Sequence, residues 1–230
     1  MLKGLQKLTL LDFPGRIAAT VFFGGCNFRC PFCHNASLVL GERLCESANL
    51  KEEEFFSFLD KRRGILEGVC VSGGEPTLFP GIADFIGEIK KRGFLVKLDT
   101  NGYEPGVLKE LCSLGLIDYV AMDIKNSPKK YAETTGVPSL DFEKIRKSAE
   151  FLMTGDVDFE FRTTLVRSLH DEEDIREISE WLCGEEKFFL QTFINSGDLI
   201  SDGFDSYDKK ETEALLKVLK TRIPNAQIRG

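Results

Sequence analysis

The sequence predicts an α/β fold in which parallel strands curve into a partial (β/α)6 barrel. Three observations carry this expectation. Strand-like and helix-like segments alternate six times along the chain, the mark of parallel strands joined by right-handed helical crossovers. The 230 residues, 42% of them hydrophobic, are enough to bury one substantial core. The strands also carry charge on one face, whereas a sheet covered by helices on both sides would be apolar throughout.

The N-terminal segment, residues 1–15 (MLKGLQKLTLLDFPG), holds one short apolar run broken by Asp12 and Pro14, which is not a secretory signal. No run approaches the ~20 apolar residues of a membrane span. A net charge of −7 provides no basic face for nucleic acid. Neither membrane nor nucleic acid is therefore an expected partner, and the expected location is cytoplasmic, where thiols stay reduced.

Residues 16–222 contain the six units, read as one domain spanning 1–230. The first strand, RIAATVFF, leads to a helix over 49–63 with Asn49 and Glu52 as a capping pair and Phe55, Phe56 and Leu59 on one face. Lys61, Arg62, Arg63 and Gly64 suit its C-terminus. GVCVS precedes a helix bearing Ile82, Phe85, Ile86 and Ile89, ended by Lys90, Lys91, Arg92 and Gly93. FLVKLDT, DYVAMDIK, DFEFRTTLV and KFFLQTFI follow, each before an amphipathic segment, at 105–114, 141–154, 172–183 and 208–222. Side chains alternate across a strand. Leu95, Lys97 and Asp99 thus share a face, as do Ala121, Asp123 and Lys125, and Glu160, Arg162 and Thr164. Three consecutive strands cannot all be wet edges, so this face lines a barrel interior with a polar mouth where the strands end.

Three of seven cysteines fall in GGCNFRCPFCHN, residues 24–35, as C-x3-C-x2-C: Cys26, Cys30 and Cys33. Structural zinc requires a fourth ligand, and His34 directly after Cys33 is poorly placed for the same ion. A Cys30–Cys33 redox pair leaves Cys26 without a role. A 4Fe-4S cubane on three thiolates uses all of them and leaves one iron open to a substrate or cofactor. Cys70 reads as interior packing, Cys112 and Cys183 as helix core, and Cys45 as a loop residue. His170 reads as part of the cap of the fifth helix beside Asp171, and Trp181 as helix core.

The cysteine motif with Phe32, followed by VSGGEP at 71–76, resembles the radical S-adenosylmethionine (SAM) superfamily. The resemblance implies a radical SAM type of partial or complete barrel and one 4Fe-4S cluster whose open iron is chelated by SAM. It also implies one-electron cleavage of SAM to a 5′-deoxyadenosyl radical that abstracts hydrogen. The SAM-binding residues it implies are Phe32 and His34 beside the cluster, Gly73, Gly74 and Glu75, Asp99 and Asn101 of LDTNG, and Asp123 and Lys125 of MDIK. Glu75 would orient the SAM ammonium, and Lys125 would pair with the carboxylate. In some members a monovalent cation sits beside the two aspartates. Arg162 is a further candidate for an anionic group of SAM, or else an ion-pair partner of Glu160.

Together the N-terminal stretch, LDTNG and MDIK are most similar to the activating proteins of anaerobic ribonucleoside-triphosphate reductase, which are glycyl-radical-enzyme activases. That similarity implies an enzyme that takes hydrogen from a glycine Cα of a partner protein, fed by an electron donor such as flavodoxin or ferredoxin. DFPG is similar to a segment that receives the partner's glycine loop, which makes Asp12 a substrate-loop candidate; the plain reading is a turn between two strands. LQTFINSG stands where related activases carry a histidine, with Gln191 as the candidate replacement. Six units are two short of a closed barrel, an opening that suits a protein loop. The alternatives are a small-molecule enzyme similar to 7-carboxy-7-deazaguanine synthase and a non-enzymatic cysteine-rich metal-binding protein. A scaffold gains little from buried charges, which argues against the second.

Overall fold

A computed structural model describes residues 1–46, 49–184, 187–195 and 197–229, though not the side chain of Glu46. Eight strands form one sheet in strict sequence order: β1 (Leu2–Thr9), β2 (Ala18–Phe23), β3 (Gly68–Gly73), β4 (Leu95–Thr100), β5 (Tyr119–Asp123), β6 (Asp158–Leu165), β7 (Phe188–Thr192) and β8 (Gln227–Arg229). β2 through β8 are parallel, and β1 runs antiparallel on the β2 edge. Because the order never reverses, right-handed crossovers put the helices on one face. A doubly wound sheet would need a reversal. The opposite face is interior even though it is charged: Thr20, Lys97 and Glu160 are 2%, 1% and 0% exposed. The sheet is open, with β1 and β8 unpaired to each other among the described residues.

The six expected strand–helix units are all present. α3 (Glu52–Asp60), α4 (Ile82–Lys91), α5 (Pro105–Ser113), α7 (Phe142–Thr154), α8 (Glu172–Trp181) and α9 (Lys209–Leu219) follow β2 to β7, preceded within their units by the short helices α1 (Ala36–Val39), α2 (Gly41–Glu46) and α6 (Tyr131–Thr135). Their apolar stripes, such as Ile82, Phe85, Ile86 and Ile89 of α4, pack on Val69, Val71, Val96 and Leu98 in one large core. Asp171 with Asp174 and Asp208 with Glu211 form reciprocal capping boxes on α8 and α9.

The structure departs from the sequence reading at several points. β8 was not expected, and β1 only through the plain reading of DFPG as a turn between two strands. β1 buries only its two ends and has irregular register, and β8 has three residues, so neither shows a period-two apolar pattern. Asn49 does not cap α3: Lys51 stands at that position, and Asn49 accepts a hydrogen bond from Lys3 at 2.7 Å. Cys183 lies beyond the end of α8 and is exposed, and Cys45 is exposed on α2. Trp181 is half-buried against Phe142 at 5.0 Å between ring centroids.

His170 is also more than a capping neighbour. It is 1% exposed, its Nδ1 accepts from the Val166 amide at 3.1 Å, and its Nε2 faces the Lys125 carbonyl at 2.9 Å. This pairing defines a neutral ring with the proton on Nε2, and burial holds its pKa below the ordinary 6.5. The folded protein therefore refuses a proton that the unfolded chain accepts. His170's contribution is complete above pH 6.5 and is lost as pH falls below it, with a slope of up to about 1.4 kcal/mol per pH unit. Thermal melts of His170→Gln should show a stability lower by about 1–3 kcal/mol near pH 8 and a shallower decline towards pH 5.5 than the wild type. An unchanged slope would show that the ring titrates normally.

Candidate active site

The first βα loop is held in place by backbone contacts that only glycine permits. Gly73 has φ +125°, and a Cβ there would lie 2.2 Å from the Phe23 carbonyl oxygen; at Gly74 it would lie 2.1 Å from that of Gly25. The approach is used at once. Gly74 N–H donates to the Phe23 carbonyl and Glu75 N–H to that of Gly25, both at 2.8 Å. The paired glycines thus bring the end of β3 against the cysteine loop. Asn35, which the sequence reading passed over although it ends the CHN triplet, donates its Nδ2 to the Gly73 carbonyl at 3.0 Å. From the far end of the sheet, Ser201 N–H donates to the Pro31 carbonyl at 2.9 Å, and the Phe193 ring meets His34 at 5.2 Å.

The loop faces a cavity of about 200 Å³ at the C-terminal ends of the strands. Cys26, Cys30, Cys33, Phe32 and His34 line one side; Gly73, Gly74, Glu75, Asp99, Asn101, Asp123, Lys125 and Arg162 line the rest. Thirteen of the fifteen candidate residues therefore meet in one place, joined by Ser72, Thr100 and Thr164, which were not singled out. The two that stay apart are Asp12 and Gln191. Asp12 is at the opposite end of the barrel, in the turn between β1 and β2, and accepts from Thr20 Oγ1 at 2.6 Å. Gln191 is level with Thr164 on the neighbouring strand.

Burial holds the three thiols protonated: Cys26 is pushed up to about 11 and Cys30 to about 12, with Cys33 raised as well. Such sulfurs ionise only when a metal takes the proton's place. Among the described residues no three His, Cys, Asp or Glu side chains are gathered around a single ion. The buried Asn27 Nδ2 beside Cys26 has no partner among the described residues, and Asn101 Nδ2, which donates to Asn27 Oδ1 at 2.7 Å, approaches Cys26 Sγ at 3.8 Å. Both are donors of the kind that hydrogen-bond cluster sulfurs. The donor set fits a three-cysteine cluster.

Charges alternate along the cavity wall. Lys97 pairs with Asp99. Arg162 reaches Asp99 at 3.5 Å and Asp123 at 2.9 Å, and Lys125 reaches Asp123 at 3.0 Å. Burial would raise both carboxylates, but the Arg162 guanidinium, with Lys97 on one side and Lys125 on the other, outweighs it. Asp99 lies below its ordinary value and Asp123 falls to about 2. Arg162 does not pair with Glu160, whose carboxylate takes Arg229 of β8 at 2.6 Å and the Tyr119 hydroxyl at 2.9 Å.

Glu75 is 2% exposed and largely occupied by protein donors. Its Oε1 accepts from Thr77 N–H, Thr77 Oγ1 and Thr100 Oγ1, and its Oε2 accepts the Asn101 amide at 2.7 Å. One lone pair of Oε2 remains for a ligand.

The sequence profile of the Radical SAM superfamily matches residues 20–182. The chain belongs to the radical SAM superfamily. Within it, the chain is 33% identical over its whole length to a Methanocaldococcus jannaschii protein named "putative glycyl-radical enzyme activating enzyme", covering 95% of that protein. It is 32% identical to the pyruvate formate-lyase-activating enzyme of Clostridium pasteurianum over 76% of this chain and 73% of that one. Among solved structures, Streptococcus suis SuiB bound to precursor peptide SuiA superposes with a TM-score of 0.68 at 16% identity, covering 92% of this chain and 48% of that one, so the chain spans about half its length. Escherichia coli coproporphyrinogen III oxidase, a radical SAM enzyme, gives a TM-score of 0.57 at 13% identity, covering 92% and 53%. These two share the fold.

The wall makes a prediction independent of any ligand. Arg162→Met removes the cation shared by two buried carboxylates and should cost about 3–5 kcal/mol near neutral pH. In the wild type, Asp99 and Asp123 sit below the ordinary 3.8, so their stabilisation is complete above about pH 4 and is lost as pH falls towards the lowered values. In the variant the carboxylates bind protons more readily, and the deficit should shrink on acidification. Denaturation curves from about pH 7 down to about pH 2 check this; a deficit that does not change over that range would mean the guanidinium serves packing alone.

Proposed function

We propose that the protein is a radical SAM activating enzyme that takes hydrogen from a glycine Cα of a partner glycyl-radical enzyme, with anaerobic ribonucleotide reductase as the partner the sequence resemblance favours. One observation carries the reading: a single cavity has three cysteine thiols on one side and, on the other, a charged wall in which Lys125 and Arg162 stand among Asp99, Asp123 and Glu75. The full-length likeness to a protein named as a glycyl-radical enzyme activating enzyme supports the partner class.

Cys26, Cys30 and Cys33 would hold the 4Fe-4S cluster, which supplies the electron that cleaves bound SAM. The remaining roles belong to the chain's own groups. Lys125 and Arg162 would take the SAM carboxylate, and the free lone pair of Glu75 together with the Gly73–Gly74 backbone would take the ammonium. Phe32 and His34 cover the cluster side against water, and His170 steadies the Lys125 backbone from below. Asn101, held by Glu75, donates its side-chain amide to Asn27 Oδ1 and brings it near Cys26. Asp12 and DFPG would meet the partner's loop from the opposite end of the barrel, where Phe13 and Pro14 wall a second cavity of about 640 Å³. No helix among the described residues is long and apolar enough to cross a membrane, in keeping with a cytoplasmic enzyme served by a flavodoxin- or ferredoxin-class donor.

Anaerobic reconstitution should load about four irons per chain. Cys26→Ala, Cys30→Ala and Cys33→Ala should each abolish loading, and Cys112→Ala and Cys183→Ala should not. Zinc at one equivalent with no iron uptake would overturn the assignment.

Cleavage of SAM by the reduced enzyme should be strongly stimulated by a peptide copying a glycyl-radical loop, with deuterium from the glycine Cα recovered in 5′-deoxyadenosine. Asp12→Ala should lose the stimulated reaction and keep the slow uncoupled one. Transfer from a small metabolite in place of the peptide would favour the deazaguanine-synthase-like reading.

A further inference from the structure

The cavity wall holds one cation more than the SAM contacts require. Lys97 lies on β4 beneath the cavity, 1% exposed, level with Cys70 of β3 and Tyr119 of β5, and its ammonium pairs with Asp99. The other oxygen of Asp99 accepts from Ser72 Oγ at 3.0 Å, and Arg162 approaches at 3.5 Å. Asp123 is bracketed by Arg162 and Lys125 on its two oxygens. Glu160 contributes no spare negative charge, because Arg229 forks onto both its oxygens at 2.6 and 2.9 Å. Two carboxylates thus face three side-chain cations.

We propose that Lys97 is a positioning residue whose ammonium takes the place of a bound monovalent cation beside Asp99, so that SAM binds without sodium or potassium. The proposal rests on the radical SAM reading of the cavity. A metal ion bridging Asp99 and Asp123 would have to displace Arg162, which already reaches both carboxylates, and would meet the Lys97 ammonium on Asp99 and that of Lys125 on Asp123. It would also add a second excess charge to this set of two aspartates and three cations in a poorly solvated interior, where like charges repel more strongly than in water. With Lys97 in place, the single excess charge matches one ligand carboxylate. The lysine is tethered by its strand, so its charge is present at every salt composition.

The test is SAM affinity, measured by titration calorimetry on the anaerobically reconstituted protein in sodium, potassium or tetramethylammonium chloride at equal ionic strength. Tetramethylammonium is too large to enter a carboxylate site. The wild type should bind equally in all three salts, within about twofold. Lys97→Met should bind roughly tenfold more weakly in tetramethylammonium and recover in potassium or sodium, as the vacated space accepts an ion. A wild type that needs potassium or sodium overturns the proposal, and so does a Lys97→Met protein whose affinity is the same in every salt. Should the variant not fold, the wild-type series decides alone. A reconstituted wild type that binds no SAM in any salt contradicts the radical SAM reading itself, and with it this inference.

Discussion

The alternating charge ladder across the inner face of the sheet is the constraint on which the site depends. Lys97, Asp99, Arg162, Asp123 and Lys125 come from three neighbouring strands and the end of one of them, and each touches a partner of opposite sign. No member could be buried alone, because an isolated charge in a poorly solvated interior costs several kcal/mol or loses its charge. The ladder is therefore all-or-none. It requires β4, β5 and β6 to hold their register and the sheet to curve enough for Arg162 to reach back past β5 to Asp99. Register and curvature are the same features that bring the ends of those strands around one cavity.

The cysteine loop is fixed by a different kind of constraint, that of backbone proximity. Gly73 and Gly74 were expected among the SAM-binding residues; the structure shows that what they approach first is the chain itself, at Phe23 and Gly25. The consequence reaches the site indirectly. Pulling the end of β3 against the loop places Glu75 where its carboxylate can gather Thr77, Thr100 and the Asn101 amide, and Asn101 in turn reaches Cys26. A residue buried at a strand end, which would otherwise be costly, is thereby turned into the pin joining the second and third strand ends to the first loop.

Much of this was legible in the sequence because the relevant signals are local. The six parallel strands and their helices follow from apolar periodicity, and the inward placement of Lys97, Asp99, Asp123, Lys125 and Arg162 follows from strand parity alone. What could not be read was pairing across the fold. Arg162 stood open between an anionic group of SAM and an ion pair with Glu160, and only the curvature of the sheet brings it to Asp99 and Asp123 and leaves Glu160 to Arg229. β8 escaped notice because its three residues show no pattern, yet it supplies that arginine. His170 was assigned by its neighbour Asp171; its real partners are 45 and 4 residues away. Asp12 shows the limit of motif reasoning most plainly, since a turn between β1 and β2 lies by topology at the N-terminal ends of the parallel strands, away from the cysteines.

That separation has a mechanistic reading. With thiols at one mouth and DFPG at the other, the inner lining of the barrel passes from apolar at the DFPG end, at Ala18, Cys70, Leu95 and Tyr119 around Phe13, to charged at the cysteine end. A polar cofactor and a segment of a partner chain have opposite solvation needs, and the two ends of the lining meet them separately. In the proposed reading the charged end would hold an ionic ligand by matched charge. The apolar end can shield a bound segment and exclude water from the reacting carbon. Between them stands Lys97, packed beside Cys70 and Tyr119 on the apolar side and paired with Asp99 on the other. It marks the level at which one environment gives way to the other.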